Sequence, residues 1–164
     1  MHKECWIFYE PEYETLRSAP GNESFGDLPE TITDVAEAKR IALGLGVAEQ
    51  DIKQFTKMST NSIQQIFRDG TQSLSGKAAG GGRSLLLVYV AGHGVSDKMQ
   101  YYVLNDAVHN LINMEDKLRT LAKSTGTSVL ALYDVFRSDK SKFPNIKRAI
   151  QPGISDRAGF AENY

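Results

Sequence analysis

The chain has a single cysteine, Cys5, in 164 residues. An internal disulfide is therefore excluded, and no Cys/His group has the spacing of a zinc site, so neither a disulfide-stapled scaffold nor a bound metal is expected. It also has almost no net charge. Nineteen Lys+Arg against 20 Asp+Glu leave a formal −1, without the broad electropositive surface that non-specific nucleic-acid binding requires. Long apolar runs are missing as well. The longest, Leu85 to Ala91, is far below the roughly 20 residues of a membrane span, and the start MHKECWIFYEPEYE has no signal- or transit-peptide pattern. These absences lead to the expectation of a protein of a reducing compartment, the cytoplasm, without membrane insertion, nucleic-acid partner or cofactor.

What is present is the composition of an ordered domain. With 41% hydrophobic and 24% charged residues the chain can bury a core, and its length is that of one compact unit. The order of segments reads as α/β. Cys5 to Tyr9 (CWIFY) is a short apolar run consistent with a buried strand, and Glu10 to Pro29, with three prolines and two glycines, reads as a loop. Ile32, Val35, Ala38, Ala42 and Leu45 recur at helical spacing, Asp34 and Glu37 have capping-box spacing, and Gly44 and Gly46 close the helix. Asp51 to Phe55 is a weaker strand. Ser59, Thr60 and Asn61 offer an N-cap for a second helix carrying Ile63, Ile66, Phe67 and Leu74, with Gly70 a weak point inside it.

GKAAGGGR, Gly76 to Arg83, reads as a flexible loop. The Gly76-Lys77 pair lacks the spacing and the hydroxyl of a phosphate-binding loop, and the glycines precede a strand where a dinucleotide site would have them follow one. SLLLVYV, Ser84 to Val90, is the strongest strand, apolar at nearly every position as in a parallel sheet buried on both faces. Tyr101 to Leu104 is another strand. Asn113 caps a third helix with Leu118, Leu121 and Ala122 inward and Gly126 as its stop, and Ser128 to Tyr133 is the last strand.

In sheets of this kind sites lie beyond the carboxyl ends of the strands. At one such end stands Ala91-Gly92-His93-Gly94, where the glycines permit a sharp turn that leaves the imidazole facing a cleft as a candidate general base. At another stands Tyr133-Asp134-Val135-Phe136-Arg137-Ser138. The succession LLLVYVAGHGVSD, QYYVLND, MEDKLRTLA and a strand ending in D-x-F-R resembles the caspase and metacaspase-like cysteine peptidases, from about Cys5 to Ser138. The resemblance implies a caspase-like three-layer α/β sandwich, a mainly parallel sheet flanked by helices. Residues 1–138 would be its large-subunit part, and 139–164 an irregular tail like the linker before the small portion. That small portion is either lost, or the chain is a piece of a longer protein.

The resemblance gives His93 the role of general base, with Gly92, Gly94, Asp134 and Arg137 as pattern neighbours. The nucleophilic cysteine's position is taken by Phe136. A benzyl group has neither lone pair nor titratable proton, so the nucleophile is absent. Cys5, on the first strand, is at the opposite end of the sheet from the cleft. A serine hydrolase built on Ser138 would need an oxyanion hole and an orienting partner. The expectation is thus a catalytically inactive member serving as a structural or protein-interaction subunit of a larger assembly. The alternatives are a regulator that pairs with an active peptidase, or a hydrolase with another nucleophile. Asp134 and Arg137 then read as a strand-end ion pair or loop cap. Without the small portion, the strand bearing Val129, Leu130 and Leu132 is left as an open edge, with no lysine or proline to blunt it, and a protein partner is expected to cover it. Charge is uneven too: residues 1–37 hold nine acids against two bases, and 137–157 six bases against two acids, a pattern able to steer a partner.

Overall fold

Strand β1 (His2–Tyr9) lies inside the sheet, between β2 (Ile52–Phe55) and β3 (Ser84–Asp97), and is parallel to both. β6 (Ser128–Asp139) adds to the other side of β3, also parallel, over the whole run from Leu85↔Ser128 to Ser96↔Asp139. β4 (Met99–Val103) folds back antiparallel on Gly94–Asp97, and β5 (Leu111–Ile112) follows it, making six strands among the described residues. The computed structural model describes residues 1–97, 99–105 and 111–139, with 96, 97, 99, 100, 111 and 136–139 described by backbone alone. Residues 140–164, nearly all of the expected tail, lie outside the described residues. The helices are α1 (Glu14–Arg17), α2 (Thr31–Gly44), α3 (Thr60–Ala79) and α4 (Met114–Thr125). Among the described residues no helix is long and apolar enough to cross a membrane.

The period-2 geometry of β1 sorts its side chains onto two faces. Trp6 and Phe8 join a core with Phe67 and Leu74 of α3, Leu118 and Leu121 of α4, and Leu86, Val88 and Val90 of β3. Cys5 and Ile7 point the other way, to Val35, Ala38 and Ala42 of α2. The architecture is therefore a three-layer α/β sandwich with, among the described residues, α3 and α4 on one face and α2 on the other. CWIFY is unbroken by polar residues because both of its faces are buried.

Gly70 has a steric purpose. A Cβ there would lie 2.1 Å from Cη2 and 2.4 Å from Cζ2 of Trp6, so the apparent weak point in α3 is where the indole passes. Trp6 meets Phe67 edge-on at 5.7 Å, and Phe8 stacks on the same ring at 6.1 Å. The indole N–H donates to Glu4 Oε1 at 2.7 Å, which also accepts from Lys53 Nζ at 2.6 Å. Burial alone would raise the Glu4 pKa, but hydrogen bonds from Lys53, Trp6 and His2 hold it below the usual value.

Capping follows the sequence at two helices and departs from it at a third. Ser59 and Ser62 form a reciprocal capping box on α3, Asn113 Oδ1 accepts from Asp116 N–H on α4, and Gly126 ends α4 at φ 69°. α2 begins three residues before Asp34, at Thr31, with no side-chain cap, and Glu37 pairs with Arg40 instead. The expected loop at Gly76 is helix: α3 runs to Ala79, because the Leu74 turn stays packed on the core and carries Lys77 into the last turn. Only residues 80–83 connect it to β3.

The larger corrections concern the strand ends. β3 does not turn at the Gly-His-Gly triplet but continues to Asp97, and β6 continues past Tyr133 to Asp139. Each supplies the other's backbone partners over these added rungs, which local apolar content alone does not indicate. Glu10 to Pro29 is more than a loop. It contains α1 and lays Tyr13, Leu16 and Phe25 against Val95 and Val103, forming a third small core over the end of the sheet.

Candidate functional site

Gly92 places the histidine. Its φ of 146° is one that side chains rarely adopt, and a Cβ there would be 2.6 Å from Tyr13 Oη and 3.0 Å from the Tyr102 ring. The close approach lets His93 N–H donate to Tyr13 Oη at 2.8 Å, while Tyr102 Oη donates to the Ala91 carbonyl at 2.9 Å. Burial raises the Tyr13 pKa above its usual value, and the hydrogen bond from His93 opposes this only in part.

The imidazole does not face an open cleft. His93 is 5% exposed, with its ring 4.7 Å from Tyr13 and 5.3 Å from Phe25, both edge-on. Its Nε2 lies 2.7 Å from the Gly26 carbonyl. A carbonyl only accepts, so Nε2 carries the proton and donates. Burial lowers the His93 pKa from its usual value, against the pull of that carbonyl. Burial thus favours the neutral ring, whose Nε2–H is donated to the backbone. What remains at the strand ends is a depression of about 180 Å³ lined by Leu28, Glu30, Thr31, Asp34, Gly92, Asp134 and Val135, and His93 is not among its lining residues.

Across the rungs of β3 and β6, His93 is the register partner of Phe136, Gly92 of Val135, Gly94 of Arg137 and Ala91 of Asp134. The two strand ends singled out in the sequence are thus side by side. Ser138 pairs with Val95, two rungs beyond the histidine. Asp134 is exposed and accepts from Tyr89 Oη at 2.9 Å. Tyr89 stands on the neighbouring strand with its side chain on the same face, and the side chain of Arg137, the partner the sequence suggested, lies outside the described residues. Burial first, and then Asp134, raise the Tyr89 pKa. No group of three or more His, Cys, Asp or Glu placed to hold a metal occurs among the described residues.

The sequence reading missed Tyr13, Phe25 and Gly26, which decide the state of His93. Their signal was faint: isolated aromatics in a segment punctuated by Pro11, Pro20, Gly21, Gly26 and Pro29, spaced without a period. The loop is anchored by Asp27 Oδ1, which accepts from Tyr13 N–H at 2.8 Å and from Arg17 at 2.7 Å. Asn105 Oδ1 also accepts from Leu16 N–H at 3.0 Å.

Val129, Leu130 and Leu132 lie on β6, which among the described residues pairs only with β3. Val129 packs inward on the α3/α4 face, whereas Leu130 and Leu132 point to the α2 face and are 52% and 54% exposed. Cys5 is buried at the floor of that face, where desolvation pushes its thiol up to about 11, a poor nucleophile at neutral pH. In comparisons with known proteins the chain matches no protein-family model and no curated protein.

Proposed function

We propose that the chain is a catalytically inactive caspase-like domain, working in the cytoplasm as a structural or protein-interaction subunit. The observation that carries this reading is the rung His93↔Phe136. The position able to hold a nucleophile for the histidine carries a side chain without one. The burial of the imidazole agrees with it: a general base must reach the proton it removes, and with Nε2–H donated to Gly26 the basic nitrogen is Nδ1, which is buried in a ring only 5% exposed. With the chemistry gone, the sheet remains as a platform, and its outer β6 edge offers backbone donors and acceptors to a partner strand.

Purified protein offered peptides with an acidic or basic residue before the scissile bond should show no turnover, and an electrophilic peptide should label no residue near His93. Turnover that His93→Ala abolishes would overturn the reading. For the interaction role, amide exchange at Val129 to Tyr133 should slow in the native assembly relative to the isolated chain. Equal protection in both would remove the edge as the docking site.

A further inference from the structure

The sheet is covered unequally. Neighbouring strands lie about 4.8 Å apart, so β2, β1, β3 and β6 together are nearly 20 Å wide, while a helix with its side chains is about 10 Å across. One face has α3 and α4 for this width, and the other has, among the described residues, α2 packed on β1 and β3. Beside α2, over β3 and β6, runs a groove of about 340 Å³ with Cys5 and Leu87 at its floor. Ile41 and Leu45 on its helix side are 43% and 51% exposed, and Leu130 and Leu132 on its strand side 52% and 54%. Half-exposed aliphatic side chains scattered singly would mean little, but four around one depression form a contiguous patch of the kind that marks an interaction site.

The groove also has a direction. At one end the Leu45 carbonyl accepts from Lys3 Nζ at 2.8 Å, near the start of β1, so this is the amino end of the parallel strands. At the other end stand Asp34, in the first turn of α2, and Asp134 of β6. Glu37 between them already pairs with Arg40. Among the described residues no cation pairs with Asp34 or Asp134: Asp134 accepts from Tyr89 Oη, and the Asp34 pKa is raised by desolvation first and then by repulsion from Asp134 and Glu30. A positive charge placed there would relieve that repulsion.

We infer that the groove receives an amphipathic helix of another protein, lying alongside α2 with lysine or arginine in its first turn against Asp34 and Asp134. The helix N-terminus, itself partly positive, suits the same end. Asp34 to Leu45 is about 16 Å along α2, and Leu130 to Asp134 about 13 Å along β6, so roughly three turns fill the trough. Apolar side chains spaced three and four apart after the basic turn would meet Ile41, Leu130, Leu132 and Leu45 in succession. A second copy of this chain is the poorer occupant, because α2 and α4 place acids in their first turns and α3 places no charge there. The inference uses side chains on the α2 face, so it stands apart from the pairing at the backbone edge of β6 and from the pseudoenzyme reading.

The test titrates the full chain into a fluorescent stapled helix of about 14 residues, roughly 20 Å long, with two lysines in its first turn and leucines at every third and fourth position after them. Saturable 1:1 binding is expected by anisotropy. Replacing the peptide's lysines by glutamate should weaken it about tenfold, and Leu132→Glu in the protein should do the same. The double variant Asp34→Asn with Asp134→Asn, which leaves the apolar walls intact, should weaken it about threefold. With p-benzoylphenylalanine in place of Leu132, irradiation should attach the peptide through one of its leucines. Absence of saturation, or equal binding of the glutamate peptide or by Leu132→Glu and the double variant, would overturn the inference. So would adducts to a second copy, or to parts of the same chain outside α2, that the peptide does not displace.

Discussion

On the α3/α4 face, Leu86, Val88 and Val90 of β3 are at most 1% exposed, while on the opposite face the β6 leucines are more than half exposed. Both strands are apolar in sequence, LLLV in β3 and VLALY in β6, and each sends alternate side chains to both faces. The difference lies in what is laid over them. An apolar strand residue has a high energetic stake only when a helix completes its surroundings, so identical residue types in adjacent strands should respond very differently to truncation.

The widest separation is expected between two leucines. Leu86→Ala should cost about 3–5 kcal/mol, as it opens a cavity between β3 and the α3/α4 layer. Urea midpoints measure this, and a cost below about 1 kcal/mol would mean that the closed face is not the stabilising one. Gly70→Ala is expected next, at about 3 kcal/mol: overpacking against Trp6 outweighs the helix propensity gained. The double variant Trp6→Phe with Gly70→Ala should recover part of this loss.

A third prediction tests the closed side through pH. Glu10, fully buried, accepts from Met58 N–H at 2.8 Å through Oε1, while Oε2 has no hydrogen-bond partner among the described residues. Desolvation raises its pKa from 4.5 to about 7. The folded state holds a proton that the unfolded state gives up near 4.5, so this contribution is fully present below about pH 4.5 and is lost as pH rises to about 7. The decline is on the order of 3 kcal/mol at most. Glu10→Gln should abolish this slope and be the more stable form at about pH 8. An unchanged slope in the variant would assign it to another group. The smallest effect belongs to the open face: Leu132→Ala should cost under about 1 kcal/mol. A loss as large as that of Leu86→Ala, read from urea midpoints, would erase the contrast between the faces.

The sheet's membership was legible because β1, β3 and β6 are buried on enough sides to read as apolar runs, and the caps at Ser59, Asn113 and Gly126 carry their own local chemistry. The candidate site was legible only as a pair of strand ends, His93 and Phe136. That these are rung partners follows from twelve consecutive backbone pairings, and register is a property of two segments that neither one displays. The burial of His93 was hidden for a similar reason. It depends on Tyr13, eighty residues away in sequence, in a segment whose prolines and glycines looked like a connection. Gly70 was misread as a helix defect because its reason, Trp6, belongs to another element.

That last contact also links two positions in descent. With a Cβ at residue 70 only 2.1 Å from the indole, neither site can drift alone. In any lineage sharing this packing, a larger residue at 70 should arise only where residue 6 has already become smaller, and a tryptophan at 6 should never coexist with anything but glycine at 70. The two positions, 64 apart in the chain, would then be inherited as one character.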